Sequence, residues 1–329
     1  MTEEKVRFAV IGTGAITERF IMGAKKTEKI EIKAVYSRTM ERGRDFAEKY
    51  EIETVYDDLY RLAEDTEIDA VYIASPTSCH ANQAILMMRN KKHVLCEKPM
   101  ASNMHELESM FYIARENKVI LLEAIRSVFT PGYELIKKRL PELGTIRRVN
   151  LNYCQYSSRY DKFKAGKVEN AFRPELSNGA IMDIGIYCVH FLVSLFGKPY
   201  SLSAKGLVLP GSIDGMGTLI GKYKDMQTEI IYSKITNSYI PSEIQGEKGN
   251  VVFYPLAAPE KIRFILRNEK EDVIRPELIQ PDLYYEIEAF LKMIKGESSP
   301  EVYNRYSADT IQLLDEARKQ MDIVFPADY

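Results

Sequence analysis

The chain has 329 residues, 45 Lys and Arg against 47 Asp and Glu, a formal net charge of −2 and 45% hydrophobic content. At roughly 150 residues per domain this length accommodates two domains, each able to bury its own core. The near balance of charge leaves no bulk basic field to hold nucleic acid or an anionic membrane. Apolar runs such as Phe8–Gly12 and Val119–Leu122 fall far short of a bilayer span. The opening Met-Thr-Glu-Glu-Lys has neither a basic n-region nor a long apolar h-region, so no signal peptide is expected. The four cysteines, Cys79, Cys96, Cys154 and Cys188, are dispersed without a C-x-x-C pair, as expected of reduced cytoplasmic thiols packed as small hydrophobes. The four histidines (His80, His93, His105 and His190) lack ligand spacing, and no metal site is expected.

In chain order, the first third alternates short apolar runs with helix-length amphipathic segments. Strands are predicted at Val6–Ile11, Ile30–Tyr36, Asp69–Ala74, His93–Cys96 and Val119–Glu123. Helices are predicted at Ile16–Lys26, Met40–Tyr50, Leu59–Glu64, Cys79–Asn90 and Met104–Asn117. This alternation fits a parallel sheet covered on both faces, hence a doubly wound α/β domain over residues 1–125. Residues 126–329 read differently. A helix at Tyr133–Leu140 and a long strand at Ile146–Tyr156 precede one conspicuous helix, Ala180–Phe196. Strand-like runs follow at Ser201–Leu209, Gly217–Tyr223, Gln227–Lys234, Ser242–Gln245, Asn250–Tyr254 and Lys261–Leu266. Helices at Asp282–Ile294 and Arg305–Asp322 close the chain, giving an α+β domain with a largely antiparallel open sheet.

Gly12-Thr13-Gly14-Ala15-Ile16-Thr17 directly follows the first strand and opens a helix. Gly12 permits a tight turn, Gly14 permits close backbone approach, and free N–H groups at the helix start suit a diphosphate. Thr17 replaces the third glycine of the G-x-G-x-x-G dinucleotide fingerprint; a plain strand-to-helix turn is the alternative. The second strand ends in Tyr36-Ser37-Arg38-Thr39, with no acid between Ala34 and Met40 to hold a free ribose 2′-hydroxyl. Ser37, Arg38 and Arg42 instead suit a 2′-phosphate, pointing to NADP rather than NAD, against the alternative of solvated arginines at a helix start. Glu97-Lys98-Pro99 falls at the carboxyl end of a strand, where open parallel sheets bind ligands. A partly desolvated Lys98 ammonium there can polarise a substrate oxygen or help move its proton, although such a lysine also suits an ordinary surface. On the Ala180–Phe196 helix, Ile184, Cys188, Phe191, Leu192 and Leu195 form an apolar face. Asp183, Tyr187, His190 and Ser194 form a polar stripe that either carries chemistry or meets water. Gly179 and Gly185 allow another backbone or a ligand to come close.

Several segments taken together resemble the Gfo/Idh/MocA oxidoreductase family over essentially the whole chain. They are Val10-Ile11-Gly12-Thr13-Gly14, Tyr72-Ile73-Ala74-Ser75-Pro76-Thr77-Ser78-Cys79-His80 and Val94-Leu95-Cys96-Glu97-Lys98-Pro99. Further along come Gly179-Ala180-Ile181-Met182-Asp183-Ile184-Gly185-Ile186-Tyr187 and Gly246-Glu247-Lys248-Gly249. The resemblance implies an N-terminal Rossmann domain and a C-terminal domain whose open sheet forms a homodimer or dimer of dimers. It also implies a catalytic Lys98, a cis Lys98-Pro99 peptide, and a cofactor-lining loop of Ser75, Pro76, Thr77 and His80; Glu97 is a further cofactor-binding candidate that could instead pair with Lys98 or substrate, or be exposed. Tyr187, where many members carry His, is similar to the NADP-dependent dihydrodiol and D-xylose dehydrogenase branch, as is Ser37-Arg38. The expected activity is hydride transfer between NADP and a hydroxyl or carbonyl carbon of a sugar, polyol or dihydrodiol. Lys98 and Tyr187 are alternative proton carriers, since a phenol titrates near 10 unless a cation intervenes. Asp183 orients the substrate or the lysine, and Arg126 and Arg173 are further substrate contacts. A glycosidase that recycles its nicotinamide and a non-catalytic sugar or cofactor sensor are the rival readings.

Overall fold

The computed structural model describes residues 5–329. Strand β1 (Val6–Ile11) is a continuous apolar run, as a strand buried on both sheet faces requires. It is followed by α1 (Ala15–Thr27), β2 (Ile30–Tyr36), α2 (Met40–Tyr50), β3 (Thr54–Tyr56), α3 (Leu59–Glu64) and β4 (Ala70–Ile73). Then come α4 (Thr77–Arg89), β5 (His93–Glu97), α5 (Met104–Asn117) and β6 (Leu121–Ala124). Side-chain caps start two of these helices: Asp58 accepts from the Tyr60 N–H at 2.8 Å, and Asn103 accepts from the Glu106 N–H at 3.0 Å. The six strands lie in the order β3-β2-β1-β4-β5-β6, every pair parallel. Chain direction across the sheet reverses between β1 and β4, the switch point outside whose carboxyl ends such sheets bind ligands. The short β3 was not anticipated from sequence.

The second part of the chain begins with α6 (Pro131–Arg139), β7 (Ile146–Cys154) and α7 (Tyr160–Lys164). A π-helical turn, Ile181–Gly185, runs directly into α8 (Ile186–Phe196). Strands β8 (Ser201–Leu209), β9 (Ile213–Lys222), β10 (Gln227–Ser233) and β11 (Ser242–Gly246) follow. The sheet is completed by β12 (Gly249–Tyr254), β13 (Lys261–Leu266) and β14 (Asp272–Ile274). The order is β14-β13-β12-β11-β7-β10-β9-β8, antiparallel except for the parallel β7–β10 pair. After three buried residues at its start, β9 alternates, burying Leu219 on one face and exposing Met216 and Ile220 on the other. The segment Pro174–Phe196 is long and apolar enough to cross a membrane, a run the sequence reading passed over, yet 83% of its apolar window is buried inside the protein. It is the core helix of this part.

Helices α9 (Tyr284–Ile294) and α10 (Glu301–Gln320) end the fold. The chain divides into two compact units: residues up to Ala124 with Ile279–Arg305, and Ile125–Leu278 with Tyr306–Tyr329. The first unit is thus discontinuous in sequence, because α9 returns to it. Phe290 on α9 meets Phe8 edge-on at 6.0 Å, and Arg19 and Lys29 bridge to Asp282 and Glu288 at 2.6 and 2.7 Å.

Candidate functional site

In the first unit, Gly12 has φ +114°, and a Cβ there would lie 2.7 Å from the Ala74 carbonyl oxygen, so only glycine fits. Gly14 precedes α1 in extended conformation with no side-chain cap, and the first intrahelical bond runs from the Glu18 N–H to the Gly14 carbonyl at 3.2 Å. The N–H groups of Ala15, Ile16 and Thr17 therefore lack intrahelical acceptors, and the space a Gly14 Cβ would take is open. This donor set fits a diphosphate. Thr13 lies in the same turn, half-buried. Thr17 is fully buried with its hydroxyl unpartnered; the threonine packs under the helix where the fingerprint has glycine.

Ser37, at the end of β2, is 6% exposed, and its N–H donates to the Tyr56 carbonyl at 3.0 Å. Arg38 and Arg42 are exposed, and neither guanidinium meets a carboxylate among the described residues. Two exposed guanidinium groups beside a buried serine, with no acid between Ala34 and Met40, are chemistry for a phosphate dianion.

After β4, Ser75 donates from its hydroxyl to Gln83 at 2.6 Å, Pro76 precedes α4, and Thr77 is buried. His80 is 1% exposed, and both its ring nitrogens are spoken for, Nδ1 at 2.8 Å from the Pro99 carbonyl and Nε2 at 2.8 Å from the Ser75 carbonyl. Burial pushes this imidazole down, against the two carbonyls that favour its protonated form. His80 thus ties the Ser75 loop to the turn after Lys98, a clamping position rather than the lining one expected. The Lys98-Pro99 peptide is cis, and Lys98 itself is half-buried. Glu97 is buried, accepts from the Tyr72 hydroxyl at 2.5 Å, and takes the Lys98 N–H at 3.2 Å.

In the second unit three of the four residues of the polar stripe are buried, and only Asp183 keeps access to solvent. Tyr187 is 8% exposed, His190 1% and Ser194 6%, so nearly the whole circumference of α8 is core. Ser194 donates to the Phe191 carbonyl at 2.9 Å, and burial forces the His190 imidazole down to about 3. His190 Nδ1 has no hydrogen-bond partner among the described residues. Asp183 lies on the π turn, a departure from the continuous α-helix expected, and its carboxylate meets the Lys234 ammonium at 2.5 Å. Tyr187 lies between the Tyr153 ring, centroids 5.6 Å apart, and the Arg126 guanidinium, 5.8 Å from its ring centroid. Arg126 is thereby placed with Tyr187, whereas Arg173 is exposed between two 3-10 turns, and its guanidinium makes no polar contact among the described residues.

The two glycines flanking the turn are approached by side chains. A Cβ on Gly179, whose φ is +143°, would lie 2.2 Å from Asp214 Oδ1. Fully buried Asp214 accepts the Ile181 N–H at 2.7 Å, capping the turn from β9, and burial lifts its carboxyl to about 6. Asp214 and Lys234 were not anticipated. A signal for Lys234 lay in the sequence: in the predicted strand run Gln227–Lys234 it shares the phase of Ile230 and Tyr232, and an inward lysine requires a partner, although the observed strand ends one residue earlier, at Ser233. All four cysteines are free, and among the described residues no three His, Cys, Asp or Glu side chains group as metal ligands.

Fold and residues together define a two-unit protein with a Rossmann nucleotide domain and a mixed-sheet second domain. The oxidoreductase family with an NAD-binding Rossmann fold, GFO/IDH/MocA, matches residues 6–124, and the GFO/IDH/MocA C-terminal domain matches residues 136–252. The chain belongs to this family. It is 45% identical over 326 residues to scyllo-inositol 2-dehydrogenase (NADP(+)) IolU of Bacillus subtilis, covering 98% of this chain and 99% of that one. It is 28% identical over 338 residues to trans-1,2-dihydrobenzene-1,2-diol dehydrogenase of Mus musculus, covering 98% and 99%. Among solved structures, the 3-ketoreductase KijD10 of Actinomadura kijaniata, in complex with NADP and TDP-benzene, shares the fold with a TM-score of 0.84 at 20% identity, over 97% and 98% of the two chains.

Proposed function

We propose that the protein is an NADP-dependent dehydrogenase that oxidises a secondary hydroxyl of a polyol or sugar, or reduces the corresponding carbonyl. The observation that carries the cofactor choice is the pair of exposed guanidinium groups of Arg38 and Arg42, without an ion pair among the described residues, beside buried Ser37 on a strand with no acid between Ala34 and Met40. The backbone N–H groups of Ala15, Ile16 and Thr17 hold the diphosphate, with Gly12, Thr13 and Gly14 giving it room, and Ser75, Pro76 and Thr77 line the same cofactor. Bound NADP supplies the hydride acceptor. Lys98 binds and polarises the reacting oxygen. Tyr187 exchanges that oxygen's proton, and Asp183 orients the substrate hydroxyls, with Arg126 a further contact. The 45% identity to an NADP-dependent inositol dehydrogenase supports the polyol reading and makes scyllo-inositol the first substrate to try.

Exposed Met216, Ile220, Ile231 and Ile265 on one face of the eight-stranded sheet support a homodimer built on that face, which light scattering tests directly. Four free thiols support a reducing, cytoplasmic location. Separate titrations with NADPH and NADH, followed by nicotinamide fluorescence in a chain without Trp, test the cofactor reading. Tighter NADPH binding by at least about tenfold, roughly 1.4 kcal/mol, is expected. Equal or NADH-favoured binding overturns the phosphate site.

A further inference from the structure

Asp183 is not held by its own helix alone. Strand β10 and the residue after it deliver two buried side chains to the π turn: the Tyr232 ring packs where a Cβ on Gly185 would stand 3.2 Å away, and Lys234 directly follows the strand's end at Ser233. The Lys234 side chain is 4% exposed, while that of Asp183 is 34% exposed. The ammonium contacts Asp183 Oδ2 at 2.5 Å, reaches the Ala171 carbonyl at 3.5 Å and lies 5.2 Å from the Phe172 ring centroid. The pair is therefore asymmetric, with a sealed cation behind and a carboxylate in front that opens to solvent. An ammonium is costly to bury, and a hydrophobic side chain of similar volume would fill the space without that cost. A lysine whose only purpose was packing would not need to lie within hydrogen-bond reach of the one solvent-open acid on the turn.

We propose that Lys234 is a positioning residue for the reaction: from behind, it fixes the orientation and the charge of Asp183, so that the carboxylate is presented to substrate hydroxyls as an acceptor. The inference rests on the function proposed above and deepens it. It assigns the carboxylate's substrate-orienting role to a charge pair spanning the end of β10 and the π turn, and it fits a neutral hydroxylic substrate, since the pair has no net charge to attract an anion.

The test uses the full-length protein with NADP and scyllo-inositol, comparing wild type, Lys234→Met, Asp183→Asn and the double variant. Active protein is counted in each by NADPH-binding stoichiometry. Expected is a fall in kcat of at least about thirtyfold for Lys234→Met, with KM for NADP within about twofold of wild type. The double variant is expected to match Asp183→Asn within about threefold, because residues acting as one unit are not additive. A kcat for Lys234→Met near wild type, or a further loss of about tenfold or more in the double variant over Asp183→Asn, overturns the inference and leaves the dehydrogenase reading intact. If Lys234→Met leaves too lone a carboxylate to fold, the comparison of Asp183→Asn with the double variant decides by the same criterion. A wild type inactive on polyols with NADP overturns both.

Discussion

The cap on the turn that carries Asp183 makes a prediction with a defined sign. Asp214 is fully buried, and burial lifts its carboxyl from 3.8 to about 6 despite the N–H groups of Ile181 and Ala180 directed at it. A rise of that size corresponds to about 3 kcal/mol at 1.36 kcal/mol per pH unit. The folded state holds the proton more tightly than the unfolded chain. This contribution to stability is therefore largest below about pH 4, declines as pH rises towards 6, and is flat above that, about 3 kcal/mol lower. His190 acts in the opposite sense, since its folded value of about 3 lies below the ordinary 6.5. Its contribution is complete above about pH 6.5 and is lost as pH falls. The wild-type curve mixes the two, so the informative quantity is the difference between wild type and Asp214→Asn. The amide keeps an acceptor for Ile181 and removes the buried charge. Urea midpoints at intervals from pH 4 to 8 should show the variant gaining on wild type by about 2–3 kcal/mol across the range, most of it between pH 4 and 6. A difference constant to within about 0.5 kcal/mol would refute the assignment of a buried, protonation-linked cap.

Three further outcomes are expected from the first unit. Lys98→Met should lose turnover by at least about a hundredfold while NADPH affinity stays within about threefold, measured by steady-state kinetics and fluorescence titration. Turnover near wild type would remove Lys98 from the chemistry. Replacing Arg38 and Arg42 together by Ala should weaken NADPH binding by about tenfold or more, leave NADH binding unchanged, and flatten the salt dependence of the NADPH constant. Gly12→Ala puts a methyl 2.7 Å from the Ala74 carbonyl at a φ of +114°. It should abolish nucleotide binding and lower stability by about 1–3 kcal/mol, read by titration and thermal melting.

The parallel half of the fold was legible because its cause is local: apolar runs of strand length alternate with amphipathic runs of helix length, and β1, β2, α2, α3 and α5 begin and end where the pattern does. The nucleotide turn was legible for the same reason, since Gly12 answers a backbone conformation that sequence can signal. What escaped depends on distant packing. Nothing in residues 279–305 announces that α9 lies against α1 rather than with the strands that precede it; the contact of Phe290 with Phe8 decides that. The polar stripe was drawn with α-helical periodicity, and the π turn at Ile181–Gly185 together with the burial of Tyr187, His190 and Ser194 changed its meaning. His190 and Ser194 carry polar atoms but sit in core. Lys234 is the reverse case, a charge in the inward phase of a predicted strand run, whose partner on another element no local pattern could name.

The departures from regular structure in the second unit are concentrated rather than scattered. Within one short stretch the chain has a glycine in the left-handed half of backbone space, a π turn, a fully buried acid as its cap, and a sealed ammonium against Asp183. Each is unfavourable taken alone, and an apolar substitution with a regular helical turn would remove most of them. Stability therefore does not explain them. They have one consequence in common: all act on the position of Asp183, Asp214 from the start of the turn, Tyr232 from beneath Gly185 and Lys234 from behind the carboxylate. Local rules are broken together on the turn that carries Asp183, and neighbouring α8 returns to regular helical structure.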